Sequence, residues 1–233
     1  MKLYAFNSCP FCIRVITLLG MKNIRCEISY VTLGNFPEHL QHKLSAATVP
    51  ILEVTASDIL LQDSGEIIRY LDQYDEQPLL NHSQQKNLQA SDALSNWLIS
   101  IRPDINLLCY PRMPTMNLPE LASSEALARF SEMLSKRLGM SPSHALSLTP
   151  ELLNRISEKL ARLPDIISSP AFLQNQRALN FDDLCAFAEL RNLTMVAELT
   201  LPEALSDYLK KMSRHSGVML FSQSTTALAP ANQ

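Results

Sequence analysis

The chain has 233 residues, of which 46% are hydrophobic and 18% charged, with a formal net charge of −3. This suffices for one large core or two smaller ones, and the charge offers no clustered Lys and Arg for a nucleic-acid partner. No stretch approaches the roughly 20 apolar residues that span a bilayer, and the opening "MKLYAFN" lacks the long apolar run of a secretory signal, so the expectation is a cytoplasmic monomer with no membrane association.

"MKLYAF" reads as a strand. After "NSCPFC", the residues Ile13, Val15, Ile16, Leu18 and Leu19 give a buried helix face that ends around Gly20 and Asn23. "RCEISYVTL" is β-branched and aromatic, a second strand, and "FPEHLQHKL" a short helix. "VPILEV" and "DILLQ" form a hairpin about "TASD". "DSGEIIRYLDQY" is a helix with Ser64 as its N-cap. The order β-α-β-α-β-β-α predicts a parallel first pair with a right-handed crossover and an antiparallel last pair. Residues 1–75 make this α/β domain, and polar residues 76–87 a linker. Residues 88–233 read as all-helical: a long helix interrupted at Pro103, a loop "PRMPTMNLPE", then four helical patterns and a loose tail "SQSTTALAPANQ". Thr149 caps one of these helices ahead of Pro150. Asn180 caps another, with Asp183 completing a box.

The five cysteines are Cys9, Cys12, Cys26, Cys109 and Cys185. The count is odd and the last three are scattered, unlike a stapled secreted domain. Cys26, Cys109 and Cys185 sit in apolar contexts and read as core, as does Trp97, placed at the interdomain face. The pair Cys9 and Cys12 has three competing roles. A structural zinc site needs four ligands, and there is neither a second CxxC nor spaced histidines. Simple packing does not explain Pro10, which occupies the first helical position and leaves Cys9 at the N-cap. There the partial positive charge and free N–H groups of the helix start favour a thiolate. Cys12 lies one turn inside, within reach of Cys9. A CxxC beside a β-α-β pattern is the thioredoxin-like redox signature.

Two further features bear on a ligand. Pro50 follows Val49 at the start of a strand. It is either an ordinary strand-edge proline or a cis-proline facing the Cys pair, which leaves the Val49 backbone free for an extended sulfur-bearing peptide. Asp63 and Ser64 open a helix whose N–H groups and hydroxyl suit a carboxylate, while Asp63 suits an ammonium. From these two residues alone, a plain helix cap is the favoured reading. Arg14 and Lys22 could supply positive charge near the thiolate or a ligand, but the favoured reading is that they are solvated helix residues.

"CPFC", "TVPIL" and "DS" at a helix start, ahead of an all-helical second half, resemble the glutathione-binding thioredoxin-like domain in the glutathione transferase architecture. Over nearly the full length, including "GMKNI" and "LRNLTMVAELTLPEALSDYLKKMSRHSGVMLF", the chain resembles the glutaredoxin 2 family, bacterial glutaredoxins built on that scaffold. The resemblance implies a glutathione-dependent disulfide oxidoreductase with glutathione as co-substrate, acting on protein disulfides or glutathionylated proteins. It implies Cys9 as nucleophile and Cys12 as resolving thiol. Val49 and Pro50 would hold the cysteinyl part of glutathione, and Asp63 and Ser64 its γ-glutamyl end. The chain departs from the family in three places: Phe11 stands where Tyr is common, Ala47 where a Lys precedes Val-Pro, and Asp63 where Glu is commoner. Two rival readings use the same fold. A glutathione transferase would need Tyr4 or Ser8 to activate the thiol of glutathione, and a binding protein would need no reactive cysteine.

Overall fold

The computed structural model describes residues 1–44, 46–80 and 88–221. Most of the linker reading and the tail reading therefore fall outside the described residues. The first half contains β1 (Lys2–Ala5), α1 (Pro10–Met21), β2 (Glu27–Tyr30), α2 (Glu38–Gln41), β3 (Ile51–Val54), β4 (Ile59–Leu61) and α3 (Ser64–Gln73). The strands lie in the order β2-β1-β3-β4. β1 and β2 are parallel and β3 and β4 antiparallel, as the element order predicts, and β3 also pairs antiparallel with β1.

Side chains alternate across the sheet. Leu3, Ala5, Leu52 and Val54 point into the large core with α1 and α3. Tyr4 and Ile51 point the other way, onto Val31, Phe36 and Leu40. The Cys pair at the start of α1 thus belongs to one face of the sheet, and the Tyr4 hydroxyl to the other.

The end of α1 is set by backbone geometry. Asn23 adopts a left-handed φ of 52°. Its N–H reaches the Gly20 carbonyl at 3.1 Å, and the Ile24 N–H reaches that of Leu19 at 3.0 Å, the paired bonds of a Schellman stop. Gly20 itself lies inside the helix and has a different reason to be glycine. A Cβ there would sit 1.8 Å from the Ser216 carbonyl oxygen, so the backbones of α1 and the last helix touch.

The second half comprises α4 (Asp92–Cys109), α5 (Ser124–Leu138), α6 (Pro142–Ser147), α7 (Thr149–Ile166), α8 (Ser169–Leu173), α9 (Phe181–Leu193) and α10 (Glu203–Ser216). Three expectations are corrected here. α4 runs through Pro103 without a break. The proline-rich loop forms two 3₁₀ turns, Tyr110–Thr115 and Pro119–Leu121. Thr149 does not cap α7, because Leu148 holds that position and the Thr149 hydroxyl turns back to donate to the Leu146 carbonyl at 2.7 Å. The capping box of α9 forms as expected. Asn180 Oδ1 accepts from the Asp183 N–H at 3.0 Å, and Asp183 Oδ2 from the Asn180 N–H at 2.9 Å. Trp97 donates its indole N–H to the Lys159 carbonyl of α7 and lies in the apolar cluster that spans both halves.

One apolar cluster runs from β1, α1 and α3 into α4, α7, α9 and α10. α1 is its axle, buried from Cys12 through Leu19. That burial takes in Arg14, which is only 6% exposed. Lys22 also leaves solvent, its ammonium held by Asp75 at 2.7 Å and by the Asp72 and Gln77 carbonyls at 2.7 Å. Neither is the solvated residue that its charge suggests. Among the described residues no helix is long and apolar enough to cross a membrane.

Candidate active site

Cys9 is the N-cap of α1, with an extended backbone (φ −78°, ψ 117°) and Pro10 at the first helical position. The Cys9 thiol is held below its ordinary value. The hydrogen bond from the Cys12 thiol contributes most, the backbone N–H groups of Cys12 and Phe11 and the charge of Arg14 add to it, and burial opposes it. These are the forces that stabilise a thiolate at a helix start. Cys12 is pushed well above the thiol range, first by burial and then by the neighbouring Cys9 sulfur; the Phe6 N–H, 3.5 Å from Cys12 Sγ, works in the opposite direction. The pair is therefore split into one sulfur that gives up its proton readily and one that keeps it.

The sign of the pH dependence follows. Cys9 stays a thiolate at pH values below the ordinary thiol pKa of about 8.5 and is lost as a nucleophile only as pH falls through its own lowered value. Alkylation followed by peptide mapping is expected to label Cys9 at neutral pH while Cys12 stays unlabelled. Equal labelling of both thiols only above pH 8.5 would show that the split does not exist.

The two residues ahead of Cys9 are gripped by the helical half. Glu120 accepts from the Asn7 N–H at 3.0 Å, the Ser8 N–H at 2.7 Å and the Ser8 hydroxyl at 2.6 Å. Arg191 of α9 donates to the Asn7 carbonyl at 2.7 Å and to Asn7 Oδ1 at 2.8 Å, and Asn192 donates to the Ser8 carbonyl at 2.8 Å. The Arg191 guanidinium is buried, which lowers its pKa to about 10. Sequence reasoning missed all three residues, since they lie more than 100 positions from the loop they hold. One trace was available: "AELRNL" places a Glu, an Arg and an Asn in a helix whose residues Asp183–Leu193 are buried on every side, and buried polar groups need partners.

The Val49–Pro50 bond is cis, which separates the two readings left open for Pro50. Val49 packs against the core clusters, and its backbone N–H and carbonyl have no partner among the described residues. Gln62 secures the preceding turn, its side-chain amide donating to the Thr48 carbonyl at 3.2 Å and to the Thr48 hydroxyl at 2.9 Å.

At the start of α3 the cap is Asp63, not Ser64. Asp63 Oδ1 accepts from the Gly65 N–H at 2.9 Å and the Glu66 N–H at 3.0 Å, because its backbone is extended (φ −80°, ψ 130°) while Ser64 is already helical. Ser64 is thereby released from capping. A cleft of about 390 Å³ opens there, lined by Phe11 and Arg14 of α1, Asp63 and Ser64, Arg102 of α4 and Cys185 of α9. The Phe11 ring is 45% exposed at its mouth, with the Arg14 guanidinium 4.6 Å from the ring centroid and that of Arg102 at 6.0 Å.

Both hydroxyls that a transferase reading needs are committed elsewhere. The Tyr4 hydroxyl donates to Glu53 Oε2 at 3.0 Å on the far face of the sheet, and burial together with that carboxylate pushes its pKa up to about 12. The Ser8 hydroxyl is held by Glu120. Of the other cysteines, Cys109 and Cys185 are buried and pushed up to about 12 by that burial. Cys26 is half-buried at the sheet edge rather than in the core.

Residues 93–225 match the family described as "Glutaredoxin 2, C terminal domain", and residues 3–79 match "Glutathione S-transferase, N-terminal domain". Glutaredoxin 2 of Escherichia coli strain K12 is 29% identical over 222 residues, covering 95% of this chain and 98% of that protein. Glutathione S-transferase omega-1 of Rattus norvegicus is 36% identical over 72 residues, 31% of this chain and 30% of that protein. A crystal structure of glutaredoxin 2 from Salmonella typhimurium in complex with glutathione superposes with a TM-score of 0.82 at 27% identity, covering 95% of this chain and 97% of that one.

Proposed function

The chain belongs to the glutaredoxin 2 family, and we propose that it works as a glutathione-dependent thiol–disulfide oxidoreductase through Cys9, reducing protein–glutathione mixed disulfides and protein disulfides. The observation that carries this is the sulfur of Cys9 at the start of α1, its pKa lowered chiefly by the proton that Cys12 donates.

In the first step the Cys9 thiolate attacks the glutathione sulfur of a mixed disulfide. A Cys9–glutathione disulfide forms, the substrate sulfur leaves as a thiolate, and it takes a proton from solvent. In the second step the thiolate of another glutathione attacks that same glutathione sulfur. Oxidised glutathione is released and Cys9 returns as a thiolate, a favoured leaving group because its pKa is low. For a protein disulfide, Cys9 forms a mixed disulfide with the protein and Cys12 attacks the Cys9 sulfur, leaving a Cys9–Cys12 disulfide that two molecules of glutathione reduce. Cys12 must lose its proton for that attack, so the dithiol route is the slower at neutral pH. The cysteinyl part of glutathione pairs with the free Val49 backbone beside Pro50, as an added strand pairs with an edge, and its γ-glutamyl end lies at Asp63 and Ser64.

The test is glutathione-driven reduction of a glutathionylated peptide, run beside conjugation of glutathione to an electrophile. Reduction without conjugation is expected. Cys12→Ser keeps the route through glutathione to within about threefold, since the nucleophile and its helix start are intact, and loses reduction of protein disulfides. Conjugation as the faster reaction would restore the transferase reading despite the commitments of Tyr4 and Ser8.

A further inference from the structure

Arg14 is 6% exposed, and neither a carboxylate nor a hydrogen-bond acceptor reaches its guanidinium among the described residues; its Nε is buried without any partner. Its charge helps hold the Cys9 thiolate, and the Phe11 ring turns a face toward it, a weak counterpart for a buried cation. Other buried cations of the chain are matched. Lys22 has Asp72 and Asp75, and Arg191 has the Asn7 and Met219 carbonyls. Arg102, in the same cleft, has Glu189 at 2.9 Å. Arg14 therefore brings to the cleft a positive charge that no carboxylate among the described residues pairs.

The same cleft holds the start of α3. The Ser64 N–H and hydroxyl have no partner among the described residues, because Asp63 performs the capping. Asp63 spends one oxygen, Oδ1, on that cap and keeps the other. Three groups thus converge on one space: a fork of guanidinium donors, a serine with two donors, and a carboxylate oxygen. A cation and an anion facing one space match a zwitterion, and a planar guanidinium matches a carboxylate in particular. A γ-glutamyl residue carries such a zwitterion, since its peptide bond is made through the side chain and leaves the α-carboxylate and α-ammonium free. An ordinary peptide has neither group at that position.

Resting on the reading above that glutathione is the ligand, we propose that Arg14 binds the α-carboxylate of the γ-glutamyl residue together with Ser64, while Asp63 takes the α-ammonium, so that Arg14 is the residue by which the protein selects γ-glutamyl thiols over ordinary cysteine peptides. Ala47 gives this end added weight, because it offers no charge to the other carboxylate of the tripeptide.

The experiment uses two thiol-blocked ligands that cannot exchange: S-methylglutathione and its analogue with a 4-aminobutanoyl group in place of γ-glutamyl, which lacks only the α-carboxylate. Binding to the full chain is measured by calorimetry. The native protein is expected to bind the analogue at least about tenfold more weakly, the size of a charge-assisted pair. Arg14→Gln is expected to bind both ligands alike, near the level of the analogue, and Arg14→Lys to recover part of the difference. A native protein indifferent to the missing carboxylate overturns the proposal without reference to any variant. So does an equal penalty in the native protein and in Arg14→Gln. Failure of the native protein to bind S-methylglutathione at all would instead remove glutathione as the ligand.

Discussion

Cys9→Ser is expected to lower glutathione-driven reduction of a glutathionylated peptide by at least about three orders of magnitude, with the fold unchanged. A serine hydroxyl at the helix start stays protonated at neutral pH. It cannot form the mixed disulfide on which both routes depend, and Cys12 is no substitute. It is fully buried and its proton is held well above the thiol range, so it presents neither access nor thiolate. The loss should fall on kcat, because the groups proposed to hold glutathione, the Val49 backbone, Asp63, Ser64 and Arg14, are untouched. Serine is also a good N-cap, so thermal unfolding should not move downward. A variant retaining a tenth of the native turnover would take Cys9 out of the mechanism.

The second large effect lies 111 residues away in sequence, at a position with no visible motif. Glu120→Ala is expected to cost about 3–5 kcal/mol of stability, the usual consequence of removing one partner from a buried charged network. The carboxylate is 3% exposed and accepts three hydrogen bonds from Asn7 and Ser8. Without it two backbone N–H groups and a hydroxyl lose their acceptor, and the buried guanidinium of Arg191 loses a nearby negative charge. Glu120→Gln keeps the shape and one acceptor oxygen but turns an NH₂ toward the remaining donors, so an intermediate loss of about 1–3 kcal/mol is expected. Denaturant unfolding of both variants measures this directly. A cost below 1 kcal/mol for Glu120→Ala would mean that the loop before Cys9 does not depend on the helical half. Activity should fall with stability, since the held residues lead straight into the N-cap that carries the nucleophile.

This grip explains why the α/β and helical halves share one apolar cluster. The small sheet provides the helix start, the cis Val49–Pro50 bond and the α3 terminus. The helical half fixes the strand-to-helix loop through Glu120, Arg191 and Asn192, and it encloses the cleft with Arg102 and Cys185. A sheet domain of this size, with only four strands of three or four residues each, buries a modest fraction of its surface alone. Packing α1 against α9 and α10 is what buries α1 on both sides.

The sequence by itself determined the features that depend on neighbours along the chain. The β3–β4 hairpin, the Cys9–Pro10 helix start, the end of α1 near Gly20 and Asn23 and the Asn180–Asp183 box each follow from residues within a few positions of one another, where backbone geometry and local hydrogen bonds decide. Only the tertiary structure decided which polar groups leave water. Arg14 and Lys22 look solvated in a list of residues, and Ser64 looks like a cap. The packing of α1 against α3 and α9 buries Arg14, Asp72 and Asp75 capture Lys22, and the extended backbone at Asp63 takes the cap from Ser64. The reason is physical. Desolvation depends on what lies within a few ångströms in space, and around Cys9 those neighbours come from opposite ends of the chain.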